Sequence, residues 1–275
     1  MYKYHRRYTG PVQAIIMDMA GTCVDFGSMA PIRAFQALFA EAGVPVTEEE
    51  ARRPMGKEKR DHILALLTQP RVHQAWIGHF GEVASDERVD QLYQDFIKHQ
   101  QRSIIQNAAL IPGVEQLLRI CEQQQVGIGL NTGYSREMIS DLLPLMAEQG
   151  LRPQSVVCAS DVPQGRPAPW MCLHNARELK VSCVQACIKV DDTAVGVEEG
   201  LNAGMWTVAV AVSGNQTGLT LAEWQALAPA QQRDRAETAR SELAGSGAHY
   251  VIDTVAQLPQ VMVQINHRLA GGEHP

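Results

Sequence analysis

The apolar positions of this chain fall in short runs separated by amphipathic stretches. Val12–Met17 is one such run. It ends at Asp18 and is followed by the small residues Ala20, Gly21 and Thr22. A short apolar run without polar alternation predicts a strand buried on both faces, here with a loop at its C-terminal end. Val126–Leu130, Ser155–Ala159, Cys187–Val190, Met205–Val212 and His249–Ile252 are runs of the same kind. Among them, Gly113–Gln124, Ser135–Gln149, Pro169–Leu179, Thr193–Ala203 and Val255–Leu269 carry helical spacing. Alternating strands and helices predict an α/β fold, a Rossmann-like parallel sheet with helices on both faces.

One region breaks the alternation. From about Ser28 to Ser103 only helical patterns occur. Pro31 opens one helix, with Ile32, Phe35, Leu38 and Phe39 apolar. Thr47 and Glu50 have the spacing of a capping box, and Leu92, Phe96 and Ile97 keep helical spacing near the end of the block. The expected organisation is a core built from residues 1–27 and 104–275, with an α-helical cap domain inserted over 28–103. Gly271–Pro275 is expected to be a loose tail.

Composition narrows the function classes. The 275 residues suffice for one large core, or for a core plus a small insertion. The formal net charge of −6 gives no reason to expect nucleic acid or an anionic membrane as partner. The six cysteines form no CxxC pair and no Cys/His cluster with zinc spacing, which fits thiols in a reducing compartment. The basic, aromatic start at Met1–Gly10 is followed by no apolar run long enough for a signal peptide or a membrane span. The expectation is a cytoplasmic protein.

In open α/β sheets, ligands bind beyond the carboxyl ends of the strands. Chemistry-bearing residues stand at four such ends: Asp18; Asn131 and Thr132; Asp161 with the following Arg166; and Asp191 with Asp192. A carboxylate such as Asp18 can attack phosphorus while loop amides hold the phosphate oxygens. Thr132 offers a hydroxyl to an anionic oxygen. Arg166 offers a planar, permanently charged fork. Asp18 with Asp192 suits Mg²⁺, which takes a few carboxylates plus waters and substrate oxygens. Taken singly, each has a plainer explanation: a turn-capping Asp18, a helix start capped by Ser135, an exposed loop Arg166, an N-cap at Asp192. The signal is in the four together.

Lys59 adds a fifth feature. With helical spacing, Met55, Lys59, His62, Ile63 and Leu66 share one face. A lysine on an apolar face is partly desolvated, which disfavours its charged form. An ordinary lysine is only ~0.1% neutral near neutral pH, so a fall of ~3 pKa units would make it a competent amine nucleophile. The plainer alternative is a lysine snorkelling from the edge of that face. Lys57, two residues away, points elsewhere and is expected at the surface.

The order Asp18, Thr132, Arg166, Asp192, each after a strand, resembles the haloacid dehalogenase superfamily over nearly the whole chain, cap included. Its members use the first Asp as a covalent nucleophile and usually bind Mg²⁺. Its phosphatases carry a second Asp two positions later that protonates the departing alkoxide; here that position is Ala20. The strings MDMAGT, RRPMGKEKRDH, NTGYSREM and GRPAPWMC more closely resemble the phosphonoacetaldehyde hydrolases, or phosphonatases. That resemblance implies an imine formed on Lys59, Asp18 as nucleophile, and Mg²⁺ held by Asp18, the Ala20 carbonyl and Asp192. It also implies Thr132 and Arg166 at the phosphonate, Met55, His62 and Tyr134 near the reaction, and a homodimer; His62, one helical turn from Lys59, is the proton-transfer candidate by its position. Ser28 and Asp191 depart from the pattern: a small thiol is expected at the first in some relatives and glycine at the second. The alternative expectation is a phosphomonoester hydrolase or mutase on the same fold, against which Ala20 argues.

Overall fold

The structure, a computed structural model, describes residues 7–275; the basic start over residues 1–6 lies outside them. Six strands form one sheet: β1 (Ala14–Met17), β2 (Gly127–Thr132), β3 (Ser155–Cys158), β4 (Cys187–Asp191), β5 (Trp206–Val210) and β6 (Tyr250–Ile252). All pairings are parallel, in the order β3-β2-β1-β4-β5-β6. The first strand is therefore central, flanked by β2 and β4. The three C-terminal ends carrying Asp18, Thr132 and Asp191 lie side by side. Ile15, Ile16 and Met17 are fully buried, as a strand covered on both faces requires.

Of the six helices between β1 and β2, the first five are α1 (Met29–Glu41), α2 (Glu48–Arg52), α3 (Lys59–Leu67), α4 (Pro70–Phe80) and α5 (Asp86–Gln106). The fifth runs past the boundary expected at residue 103. Helices α1 and α5 share an interior made of Phe35, Leu38, Phe39, Leu92 and Phe96, with the Phe35 and Phe96 rings stacked 4.3 Å apart. Each such buried side chain contributes roughly 1.5–3 kcal/mol. The capping box at α2 is formed: Thr47 Oγ1 accepts from the Glu50 N–H and the Glu50 carboxylate accepts from the Thr47 N–H.

The remaining helices are α6 (Val114–Gln123), α7 (Leu142–Glu148), α8 (Trp170–Glu178), α9 (Ala194–Asn202), α10 (Leu221–Ala226), α11 (Pro229–Ala244) and α12 (Leu258–Ala270). Two expectations need correction. The helix expected over Ser135–Gln149 forms only as α7, because Pro144 has no N–H to give and its ring collides with the carbonyl one turn earlier. The residues before Leu142 are turns instead. The helix carrying Lys59 does not include Met55. Gly56 has φ +89°, outside the helical region, and α3 starts at Lys59 with the Glu58 carboxylate taking the N–H groups of Arg60 and Asp61. Helices α10 and α11 were not foreseen. The buried face of α11 is only Ala236, Ala239 and Leu243, too small a stripe to stand out in a polar segment. No described helix is long and apolar enough to cross a membrane.

Candidate active site

Asp18 follows β1 at the centre of the sheet, and its N–H donates to the Val190 carbonyl of β4. The loop after it turns sharply at Gly21 (φ +82°), where a Cβ would lie 2.2 Å from Asp192 Oδ2. Glycine there lets the loop fold against the second aspartate. Asp18, Ala20, Met55, Lys59, Thr132, Tyr134, Arg166 and Asp192 line a single cavity of about 20 Å³. That is room for about one water. His62, Asn131, Asp161 and Asp191, also singled out from sequence, are absent from its wall.

The floor of the cavity is a buried ion network. Arg166 donates from Nη2 to Asp18 Oδ1 (2.6 Å) and to Asn131 Oδ1 (2.9 Å), and from Nε to Glu199 Oε2 (3.0 Å). Its Nη2 also lies 3.2 Å from Asp191 Oδ2. Lys189 Nζ lies 2.8 Å from Asp191 Oδ2 and 3.5 Å from Glu199 Oε2, and it donates to Asn131 Oδ1 at 2.5 Å. Asn131 returns its amide N–H to Glu199 at 3.1 Å. Lys189 and Glu199 went unremarked in the sequence, although Lys189 stands within the apolar strand C-I-K-V-D. A charge in the middle of a buried strand must be paired, and that was the available signal. Glu199 gave less warning, since its neighbour Glu198 is chemically identical and only the helix phase separates them.

Asp191 accepts from the Thr193 hydroxyl at 2.7 Å and the Thr193 N–H at 3.0 Å, besides facing both cations. Burial pushes its carboxyl up, but Arg166 and Lys189 outweigh burial and hold it below the ordinary value. A Cβ on Gly196 would come within 2.0 Å of this carboxylate. Asp191 thus fills space that a side chain at position 196 would need. Asp192 differs: burial first, then Asp18 and Asp191, push its carboxyl well above the ordinary value, against a hydrogen bond from the Asn215 N–H at 2.7 Å. Asp18 is likewise pushed up by burial, partly offset by Arg166.

These residues fit a divalent cation. Asp18, Asp191 and Asp192 each bring a carboxylate oxygen to within 4.8 Å of the others. Asp18 Oδ2 and Asp192 Oδ1 receive no hydrogen bond among the described residues, and the Ala20 carbonyl is taken by no loop N–H. Four carboxylates stand beside two fixed cations: Asp18, Asp191 and Glu199 form ion pairs with Arg166 or Lys189, and Asp192 forms none among the described residues. A divalent ion would bring that balance to zero, and hard oxygen donors favour Mg²⁺ or Ca²⁺ over softer metals.

Lys59 faces this floor from the helical block. It is 3% exposed, and no described carboxylate pairs with it. Its Nζ lies 5.1 Å from the centre of the Tyr134 ring and 5.8 Å from that of Phe35. Burial lowers its pKa to about 8, against the opposing pull of Asp18. His62, one turn along α3, is fully buried and stacks on Phe35 with centroids 3.9 Å apart. Its Nε2 lies 2.9 Å from the Ala51 carbonyl, which can only accept; Nε2 therefore carries the proton and Nδ1 is a bare, unpartnered acceptor. Burial, and then Lys59, keep the ring well below its ordinary pKa. The Tyr134 hydroxyl is buried without a partner, and the Tyr134 N–H donates to Thr132 Oγ1 at 3.2 Å. Asp161 stays outside the site, paired with Arg136.

Comparison with known proteins follows the same lines. The profile of the haloacid dehalogenase-like hydrolases matches residues 12–204. The chain is 50% identical over 274 residues to a phosphonoacetaldehyde hydrolase of Hahella chejuensis, spanning 100% of this chain and 93% of that protein. It is 45% identical over 264 residues to the phosphonoacetaldehyde hydrolase of Paraburkholderia xenovorans, spanning 96% and 99%. The crystal structure of a phosphonoacetaldehyde hydrolase like protein from Oleispira antarctica matches with a TM-score of 0.98 at 46% identity over 100% of both chains. A β-phosphoglucomutase from Clostridium difficile, at 17% identity and a TM-score of 0.66 over 94% of this chain and 99% of that one, shares the fold alone.

Proposed function

We propose, from the premise that this chain belongs to the haloacid dehalogenase-like hydrolase family and within it to the phosphonoacetaldehyde hydrolases, that it cleaves the carbon–phosphorus bond of phosphonoacetaldehyde. The products are acetaldehyde and phosphate. The observation that carries the reading is the pairing across one cavity of Lys59, buried and with a pKa of about 8, and Asp18 on the sheet.

A phosphonate has no oxygen between carbon and phosphorus, so direct cleavage would expel a carbanion. The neutral amine of Lys59 adds to the aldehyde, and the resulting carbinolamine takes up a proton and releases water to give a protonated imine. Asp18 attacks phosphorus, the C–P bond breaks, and its electron pair passes into the imine to form an enamine. Water then hydrolyses the aspartyl phosphate. The enamine takes a proton on carbon, and hydrolysis of the resulting imine frees Lys59 and acetaldehyde. Arg166 offsets charge on the phosphonate oxygens, and Thr132 offers them its hydroxyl. The bare Nδ1 of His62 supports its part as the proton acceptor near Lys59. Met55 and Tyr134 wall the aldehyde end.

Asp18, the Ala20 carbonyl and Asp192 would hold Mg²⁺, which supplies charge neutralisation at the phosphoryl oxygens when bound. Ala20 suits this chemistry, because no ester oxygen needs a proton on leaving. In this reading residues 28–103 are a cap that opens to admit substrate, since the closed cavity has room for about one water. A homodimer in the cytoplasm belongs to the same reading. Leu64, Ile77, Phe80 and Val83, all exposed on the helical block, offer apolar surface for it.

The test is reductive trapping. Borohydride with phosphonoacetaldehyde should leave a two-carbon adduct on Lys59, absent in Lys59→Arg. Asp18→Asn should still be trapped but release phosphate at least about 10³-fold more slowly. Acetaldehyde release by Lys59→Arg at the parental rate would rule the imine out.

A further inference from the structure

Three separate segments meet at Arg52, the last residue of α2. From Nη1 it donates to the Gly27 carbonyl at 2.9 Å and to Asn215 Oδ1 at 3.3 Å. From Nη2 it donates to the Gly218 carbonyl at 3.3 Å, and from Nε to Glu48 Oε1 at 2.8 Å. The side chain is 13% exposed. Gly218 has φ +64°, and a Cβ there would lie 2.8 Å from Arg52 Nε, so glycine leaves room for the guanidinium.

Each segment leads to the site. Gly27 belongs to the linker between β1 and α1, and its N–H donates to the Ser213 carbonyl at 2.8 Å. Asn215 and Gly218 lie in the loop after β5, and the Asn215 N–H holds Asp192 Oδ2 at 2.7 Å. Arg52 itself stands at the root of the turn that ends at Lys59; the Met55 N–H donates back to its carbonyl at 3.0 Å.

We propose that Arg52 is a positioning residue, the clasp by which the helical block seizes the Asp192-side loop on closing. Seating Lys59 over the floor and orienting Asp192 then become one event. The chemistry suits a contact that must also release. Across the boundary the guanidinium meets only neutral acceptors, two carbonyls and an amide oxygen. Its charge partner, Glu48, lies one turn back on the same helix and travels with it. Opening therefore exposes a guanidinium that keeps its carboxylate and gains water, and no buried charge is stranded. A planar fork is needed to reach several acceptors at once, which an ammonium on a flexible stem does not offer. A cleft of about 490 Å³, with Arg52, Asn215 and Lys57 in its wall, runs beside the contact and gives water access to it.

The inference rests on the proposed reading for the roles of Lys59 and Asp192, but its test needs no turnover. Hydrogen exchange by mass spectrometry is compared for the full-length parent and Arg52→Met, without substrate. Amides over 53–59 and 213–219 should both exchange about tenfold faster or more, with the sheet unchanged. Asn215→Ala, which removes one acceptor and keeps the backbone N–H, should speed the same two segments by less. Acceleration confined to 53–59, with 213–219 at parental rates, overturns the clasp and leaves Arg52 as a residue that merely ends α2. Should Arg52→Met not fold, Asn215→Ala decides alone: parental exchange at 53–59 overturns the proposal. The expected exchange together with no borohydride adduct in the parent would leave the clasp standing and remove the imine.

Discussion

Lys59 shows how much one side chain can be altered by its surroundings. Its folded pKa of about 8 lies below the ordinary 10.5, so folding disfavours its charged form. For a base shifted downward, the cost is full below about 8, shrinks as pH rises, and vanishes above 10.5. The shift corresponds to up to about 3 kcal/mol. Lys59→Met should therefore be more stable than the parent by roughly 1–3 kcal/mol at pH 7, the gain fading towards pH 10.5, by calorimetric unfolding across pH. A stabilisation independent of pH would contradict the desolvated amine. The same shift sets activity: the neutral amine grows as pH rises, so the trapping rate should climb and level off above about pH 8. Burial on an apolar face could be anticipated from the spacing of Lys59, His62, Ile63 and Leu66. The absence of a carboxylate partner could not, because it depends on where the sheet's aspartates stop.

At the scale of elements, helix ends are held by particular side chains. The start of α1 has no side-chain cap from Ser28, which lies in the left-handed region at φ 52°. Asp25 does the work from within the linker, accepting from the Met29 N–H at 3.0 Å and the Ala30 N–H at 2.8 Å. Asp25→Ala should destabilise the protein by about 1–2 kcal/mol, read as a fall in denaturant midpoint at unchanged slope. A change within a few tenths would mean that water replaces the carboxylate. Element existence was largely legible, since six strands came from six apolar runs. Element limits were less so. Gly56 and Pro144 each end a helical pattern, and both act through backbone geometry that apolar spacing does not register.

At the scale of the whole molecule, Lys59 comes from the helical block and Asp18 from the sheet, and in the proposed reading the two must meet. Gly56 packs against the start of α9 with no room to spare: a Cβ there would lie 2.4 Å from Val195 Cγ1 and 2.6 Å from Thr193 Oγ1. Gly56→Ala adds both that collision and an unfavourable φ of +89°. It should lower kcat/KM by about 10²-fold or more, as an angstrom of misplacement does, and lower the thermal midpoint by about 2–8 °C from the added strain. Steady-state kinetics at parental values would show that the loop seats without glycine.

What the residue string determined alone was whatever depends on neighbours along the chain: the apolar runs that become strands, the capping box at Thr47 and Glu50, and the chemistry waiting at each strand end. The order β3-β2-β1-β4-β5-β6 is what turned those ends into one site, because it seats β1 between β2 and β4. Only tertiary packing could decide that Asp191 is consumed by Lys189 and Arg166 while Asp192 is left facing the cavity. Adjacent in sequence, they take opposite charge environments: Asp191 from Arg166, far along the chain, together with Lys189 on its own strand, and Asp192 from Asp18 after β1 together with Asp191. The reason is physical: electrostatic energy in a low-dielectric interior depends on distance through space, and sequence separation does not fix that distance.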